Sequence, residues 1–198
     1  GIIQKSIGTI SSSLWSSASL LTIPFLYFKE LEIPGIKIAT SKAIKNANYM
    51  KDSLSDLYKT SIDVVAHEFI LDVNQFKSKG ITEVDIAKRL LDYSFHPPTM
   101  SWPVKGTLMI EPTETESKEE MDIFIRAMRE IRQEIDNQPD LLKNAPHPIS
   151  LVEKEWDFPY SMEEAFFPLE ELKTRKFWPS ISRVDDVYGD QLLYKSAK

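Results

Sequence analysis

A chain of 198 residues with 42% hydrophobic and 27% charged content is long enough to bury a core and too apolar to stay disordered. Its net charge of −6 offers no broad basic field for nucleic acid or an anionic membrane surface, so small polar ligands or protein partners are favoured instead. The absence of cysteine excludes disulfides, thiolate nucleophiles, zinc-thiolate centres and iron–sulfur clusters, which suits an intracellular compartment.

The chain opens on Gly1 rather than a methionine, which points to a longer polypeptide that was cut, processed or only partly observed. No charge occurs between Lys5 and Lys29, and this gap holds Leu20, Leu21, Ile23, Phe25, Leu26 and Phe28. Its serines and Pro24 make it a poor membrane span, and Tyr27-Phe28-Lys29-Glu30 is a poor cleavage site, so the run is read as a buried helix. Apolar residues from Ile36 through Ala43, Ala47, Met50 and Leu54 to Leu57 recur at helical spacing and predict a helix over about 36–58, with Pro34-Gly35 at its start.

Residues 64–73 read as a strand around Phe69-Ile70-Leu71. Thr82 and Asp85 form a capping box with Ile81 and Ile86 as hydrophobic staple, predicting a helix to about Tyr93 that Pro97-Pro98 stops. Residues 104–110 give a second strand. Ser117 and Glu120 then open a helix of about twenty residues, whose apolar face carries Met121, Phe124, Ile125, Met128, Ile131 and Ile135. Residues 137–150, with three prolines, read as a loop, and the aromatic-rich last fifty as an irregular tail. Alternating strands and helices imply an α/β or α+β architecture.

Self-contained chemistry is scarce. The six glycines never cluster into a dinucleotide or phosphate-binding loop. His67, His96 and His147 lack metal-ligand spacing and read as satisfied polar groups, and no metal site is expected. Asp185, Asp186 and Asp190 beside Tyr188-Gly189 read as turn formers, and the acidic residues at 114–120 as partners of a helix dipole.

The run Asp92-Tyr93-Ser94-Phe95-His96-Pro97-Pro98-Thr99-Met100-Ser101-Trp102-Pro103-Val104, followed by Gly106-Thr107-Leu108-Met109-Ile110-Glu111-Pro112-Thr113-Glu114, resembles D-Y-G-F-H-A-P-T-M-S-W-P-V and G-T-L-M-I-E-P-T-E of the P-proteins of the glycine cleavage system. Further blocks follow in that family's order, including Asn46-Ala47-Asn48-Tyr49-Met50, His67-Glu68-Phe69-Ile70-Leu71-Asp72, Phe177-Trp178-Pro179-Ser180 and Arg183-Val184-Asp185-Asp186-Val187-Tyr188-Gly189-Asp190. The resemblance covers nearly the whole chain.

It implies the small carboxy-terminal domain of a pyridoxal-phosphate fold type I enzyme, with residues 1–58 as a helical segment from the end of the cofactor domain and 59–198 as the small domain, its irregular tail starting near 137. It implies glycine decarboxylation with transfer of the aminomethyl group to lipoyl H-protein, in mitochondria or bacterial cytosol. The family's cofactor lysine lies before the matched region, so no catalytic residue is expected in this chain, nor cofactor binding by the chain alone. The resemblance places Thr9 and Ser11 near the cofactor phosphate, and His96, Thr99, Thr113 and Glu114 on substrate-side loops.

The family usually carries arginine where this chain has Asn74, Phe158 and Met162, which removes strong carboxylate or phosphate partners. Two readings follow. One is the end, or one part, of a working P-protein, partnered by its lysine-bearing half or a second P-protein subunit. The other is a non-catalytic structural subunit of a larger, mitochondrial assembly. Neither reading involves nucleic acid or a membrane.

Overall fold

The computed structural model describes residues 17–60 and 62–196, in two compact units divided between Lys42 and Ala43.

In the first unit a short 3-10 turn at Ala18–Leu21 leads into helix α1 (Thr22–Leu54), which continues into the second unit from Ala43. The backbone leaves helical geometry at Glu32, where φ is 51°. That conformation is uncommon for a residue with a Cβ. Pro34 follows within the first turn of the resumed helix, where its missing N–H costs nothing, so the expected start at Pro34-Gly35 reappears as an internal break. The expectation of a buried helix over the charge-free stretch is overturned: Leu20, Leu21, Ile23, Phe25 and Leu26 are all exposed, Phe25 by 60%. The apolar residues run around the whole helix, and among the described residues this unit adds only the short turn at Ala18–Leu21, itself exposed. No helix of the described residues is long and apolar enough to cross a membrane.

In the second unit α1 buries Asn46, Ala47, Met50 and Leu54 along one stripe. It ends at Leu54 rather than near 58, because the amides of Leu57 and Tyr58 both turn back onto the Leu54 carbonyl. Four strands follow: β1 (Lys59–Thr60), β2 (Phe69–Asp72), β3 (Thr99–Met100) and β4 (Thr107–Ile110). They form one antiparallel sheet in the order β1-β2-β4-β3. The domain is therefore α+β. Phe69 pairs with Ile110 and Leu71 with Leu108, so these four side chains share one face and enter the core. Each such burial contributes about 2 kcal/mol.

Both predicted strands are shorter than their apolar patterns suggest, and β1 and β3 have no such pattern to announce them. Val65 is held out of the ladder by Asn48, whose Oδ1 accepts its amide and whose Nδ2 donates to its carbonyl at 2.7 Å. Residues 101–106 form the β3–β4 turn, with Ser101 and Gly106 both at positive φ.

Helix α2 (Glu83–Asp92) starts on the predicted capping box, with Ile81 and Ile86 fully buried. Helix α3 (Lys118–Asn137) lays down the predicted apolar stripe and begins with Ser117 Oγ accepting the Glu120 amide. The Glu120 carboxylate does not reach back. It takes Arg175 at 2.7 Å instead. The expected loop after 137 contains helix α4 (Pro139–Asn144), with Pro139 in its first turn. The expected irregular tail holds short helices α5 (Met162–Phe166) and α6 (Leu172–Arg175), then α7 (Asp186–Ser196). Helices this short show too few turns for periodicity to reveal them.

A buried polar cluster joins these elements. The five N–H donors of Arg89 are all used: Nε and Nη2 on the two oxygens of Glu134 at 2.9 and 2.7 Å, Nη1 on Asp92 and the Ala165 carbonyl, and Nη2 again on the Glu164 carbonyl. Asp92 also takes the amide and Nδ1 of His147, each at 2.7 Å. This places the imidazole proton on Nδ1 and leaves Nε2 to accept from the Tyr160 hydroxyl at 2.8 Å. Burial pushes the Tyr160 phenol up to about 12, which keeps that donor protonated at neutral pH. His147 is thus the satisfied polar group expected from the sequence.

Candidate functional site

The end of α2 sets the position of His96. The Ser94 amide bonds the Leu91 carbonyl and the Phe95 amide the Leu90 carbonyl, with Ser94 left-handed at φ 67°. This paired closure ends the helix and turns the chain outward. Pro97-Pro98 then keeps residues 95–99 extended until Thr99 enters β3.

That segment forms one wall of a cavity of about 620 Å³. The end of β4 and the following Glu111-Pro112 form a second wall, and the first turns of α3 the third. Met50, Phe95, Met109, Ile110, Met121 and Phe124 supply apolar lining. His96, Thr99, Glu111, Glu116 and Glu120 supply the polar groups. Phe95 meets Phe124 edge to face at 5.2 Å, which ties the segment to α3.

His96 and Thr99 thus line one cavity, and both are exposed. Thr113 and Glu114 lie just beyond Pro112, outside the lining. The Thr113 carbonyl accepts Asn46 Nδ2 at 2.9 Å, fastening this loop to α1, and its hydroxyl lies 2.6 Å from that of Thr115. Thr9 and Ser11 fall outside the described residues. The sequence marks Glu116 and Glu120 as groups at a helix start, with Glu120 paired to Ser117, and Glu111 only as part of the motif run. The turn after β4 folds all three onto the cavity, and their position directly after the motif-bearing strand was the available signal. Glu120 is neutralised by Arg175, whereas Glu111 and Glu116 stay exposed at the rim. Among the described residues no lysine or arginine lines the cavity. Among the described residues no group of three or more His, Asp or Glu is arranged to hold a metal ion.

The cavity can therefore receive a small ligand against an apolar floor, offering one imidazole, one hydroxyl and a negative rim. It presents no nucleophile activated by a neighbouring base.

Asn74, Phe158 and Met162, where the resemblance led us to expect arginine, each have structural partners. Asn74 Nδ2 bonds Asp72 and the Lys105 carbonyl. Phe158 stacks on Tyr160 with ring centroids 5.4 Å apart, and Met162 packs against the core.

Comparison with known proteins agrees with these motifs. The family profile described as glycine dehydrogenase, C-terminal domain, matches residues 39–147. The glycine dehydrogenase (decarboxylating) of Christiangramia forsetii is 50% identical over 200 residues, covering 96% of this chain and 21% of that protein. The mitochondrial glycine dehydrogenases (decarboxylating) of Gallus gallus and Homo sapiens are each 50% identical over 202 residues, covering 94% of this chain and 20% of theirs. The chain spans about a fifth of the length of these relatives. With more than half of its residues inside the profile, this chain belongs to the glycine dehydrogenase C-terminal domain family.

Proposed function

We propose that this chain acts as the carboxy-terminal part of a glycine decarboxylase P-protein, and that its cavity forms the substrate-side wall of an active site completed by residues elsewhere in the assembled enzyme. One observation carries this reading: the segment richest in family motif, residues 92–114, supplies two of the three walls of the cavity. The negative rim favours the ammonium end of an amino acid, and His96 and Thr99 orient it.

The cavity alone does not fit pyridoxal phosphate, because a phosphate needs cationic or amide donors and the charged lining here is carboxylate. The cofactor and its lysine belong to the remaining part of the enzyme in this reading, with Thr9 and Ser11 proposed as hydroxyl partners of the phosphate and residues 1–58 as the end of the cofactor domain. The aminomethyl group would pass to lipoyl H-protein, and the compartment would be mitochondrial or bacterial, following the relatives.

The test measures carbon dioxide release from carboxyl-labelled glycine by this chain, by a polypeptide spanning the relatives' other four fifths, and by the two together. Activity is expected only for the pair, reduced about tenfold or more by His96→Ala. Activity of the pair that His96→Ala and Thr99→Ala leave unchanged would remove the cavity from the reaction.

The absence of lysine and arginine among the described residues of the cavity lining also favours a second reading, a non-catalytic structural subunit in a larger assembly. It predicts a native polypeptide near 22.8 kDa without aldimine absorbance and without a lysine-bearing partner.

A further inference from the structure

We propose that the cavity between β4 and α3 binds aromatic amines, with the apolar ring seated on its floor and the ammonium held at its carboxylate rim.

The size and lining of the space set the body of the ligand. A cavity of about 620 Å³ falls in the range that encloses drug-sized molecules. Glycine has no apolar side chain and would leave the floor in water. That floor is soft and aromatic: Met50, Met109 and Met121 present thioethers, and Phe95 stands edge to face on Phe124, with ring centroids 5.2 Å apart and planes at 82°. Thioethers and ring edges both pack favourably on a further aromatic ring. Phe95 and Met109 are only partly buried, so a ring in the cavity covers apolar surface that water now touches.

The rim sets the charge. Glu111 and Glu116 are exposed and form no ion pair among the described residues. Two neighbouring cations are already committed, Lys118 to Asp122 and the Tyr49 hydroxyl, and Arg175 to Glu120. Two carboxylates are thus left without a counter-charge at the mouth of an apolar space, which favours a cation with an apolar body. The start of α3 at the same wall favours an anion instead, so the sign of the preferred ligand discriminates between the two fields. His96 is the remaining basic group among the described lining residues. Amine binding needs the cavity alone and not decarboxylation: failure of carbon dioxide release by the reconstituted pair leaves it standing, and failure of amine binding leaves the decarboxylation reading to its own experiment.

The test adds phenethylamine to the dilute 198-residue chain and follows its six methionine methyl groups, isotope-labelled, by NMR. It is run at about pH 8, where an ordinary imidazole is neutral and an ordinary amine charged. The methyl signals of Met50, Met109 and Met121, which line the cavity, should shift, while those of Met128 and Met162, which lie outside the lining, should stay in place. Phenethylamine should bind about tenfold tighter than phenylacetate, which carries the ring with the opposite charge, and than ethylamine, which carries the charge without the ring. In the double variant Glu111→Gln with Glu116→Gln its affinity should fall about fivefold. No shift of the cavity methyl groups at about 10 mM phenethylamine, shifts at Met128 and Met162 in their place, or equal binding of phenylacetate or ethylamine would overturn the site. Unchanged affinity in the double variant would overturn the part given to the rim.

Discussion

Arg183 Nη1 donates to Asp85 Oδ1 at 2.7 Å, joining the carboxy-terminal segment to the third residue of α2. Asp85 thereby carries three duties at once: it completes the capping box with Thr82, takes Lys143 at 2.9 Å, and anchors Arg183, whose other nitrogens bond the carbonyls of Ala145 and Leu142.

Asp85 makes the fold sensitive to acid. Burial raises its carboxyl, but hydrogen bonds from Lys143, Arg183 and Thr82 outweigh that and hold it below the ordinary value. A group with a lowered folded value contributes stability that is present above the unfolded value and is lost as pH falls through the folded one, here below about pH 4. Urea titrations should show the native chain losing stability over that window. Asp85→Asn should cost about 2 kcal/mol at neutral pH and flatten the acid dependence.

The Arg89–Glu134 pair should be strongly coupled. Arg89→Met leaves two carboxylates buried with fewer partners and is expected to cost about 3–5 kcal/mol. Glu134→Leu combined with Arg89→Met should recover part of that loss. A double-mutant cycle with no coupling would show that the two charges are separately solvated.

Two glycines at positive φ should respond differently to alanine. At Gly80, φ 72°, an added Cβ meets nothing within 4 Å, so the variant should lose only the left-handed penalty of about 1 kcal/mol. At Gly106, φ 78°, the same atom would lie 2.1 Å from Asn74 Oδ1, and the loss should be larger. Thermal melts of Gly106→Ala with and without Asn74→Ala separate the clash from the backbone cost.

Ser94 sits where the matching motif has glycine and holds φ 67°. Ser94→Gly should relieve about 1 kcal/mol of backbone cost. The Oγ contact with Phe177 lost with it is worth a similar amount. Overall stability should change little, while the Phe177 amide exchanges faster.

The elements visible beforehand were those whose local chemistry and packing agree. Thr82 with Asp85, and the Met121 to Ile135 stripe, announced α2 and α3 because capping and a 3.6-residue period act within one segment. The two-residue strands β1 and β3 exist through pairing with partners distant in sequence, and no local pattern encodes that. At the site, His96 and Thr99 could be named from the motif, whereas the convergence of Glu111, Glu116 and Glu120 depends on how the 111–117 turn meets α3. His147 gave no hint of its partners, which lie 55 residues before it and 13 after.

The uncovered apolar stretch from Leu20 to Phe28 bears on how the polypeptide behaves in the test tube. It has no Lys, Glu or Asp to act as a gatekeeper, and its side chains face water. A concentrated solution of the isolated chain should cloud through this stretch. Turbidity should fall when Phe25→Lys and Ile23→Glu break the stretch, with the melting behaviour of the second unit, which starts at Ala43, unchanged, because that unit draws its core from other side chains.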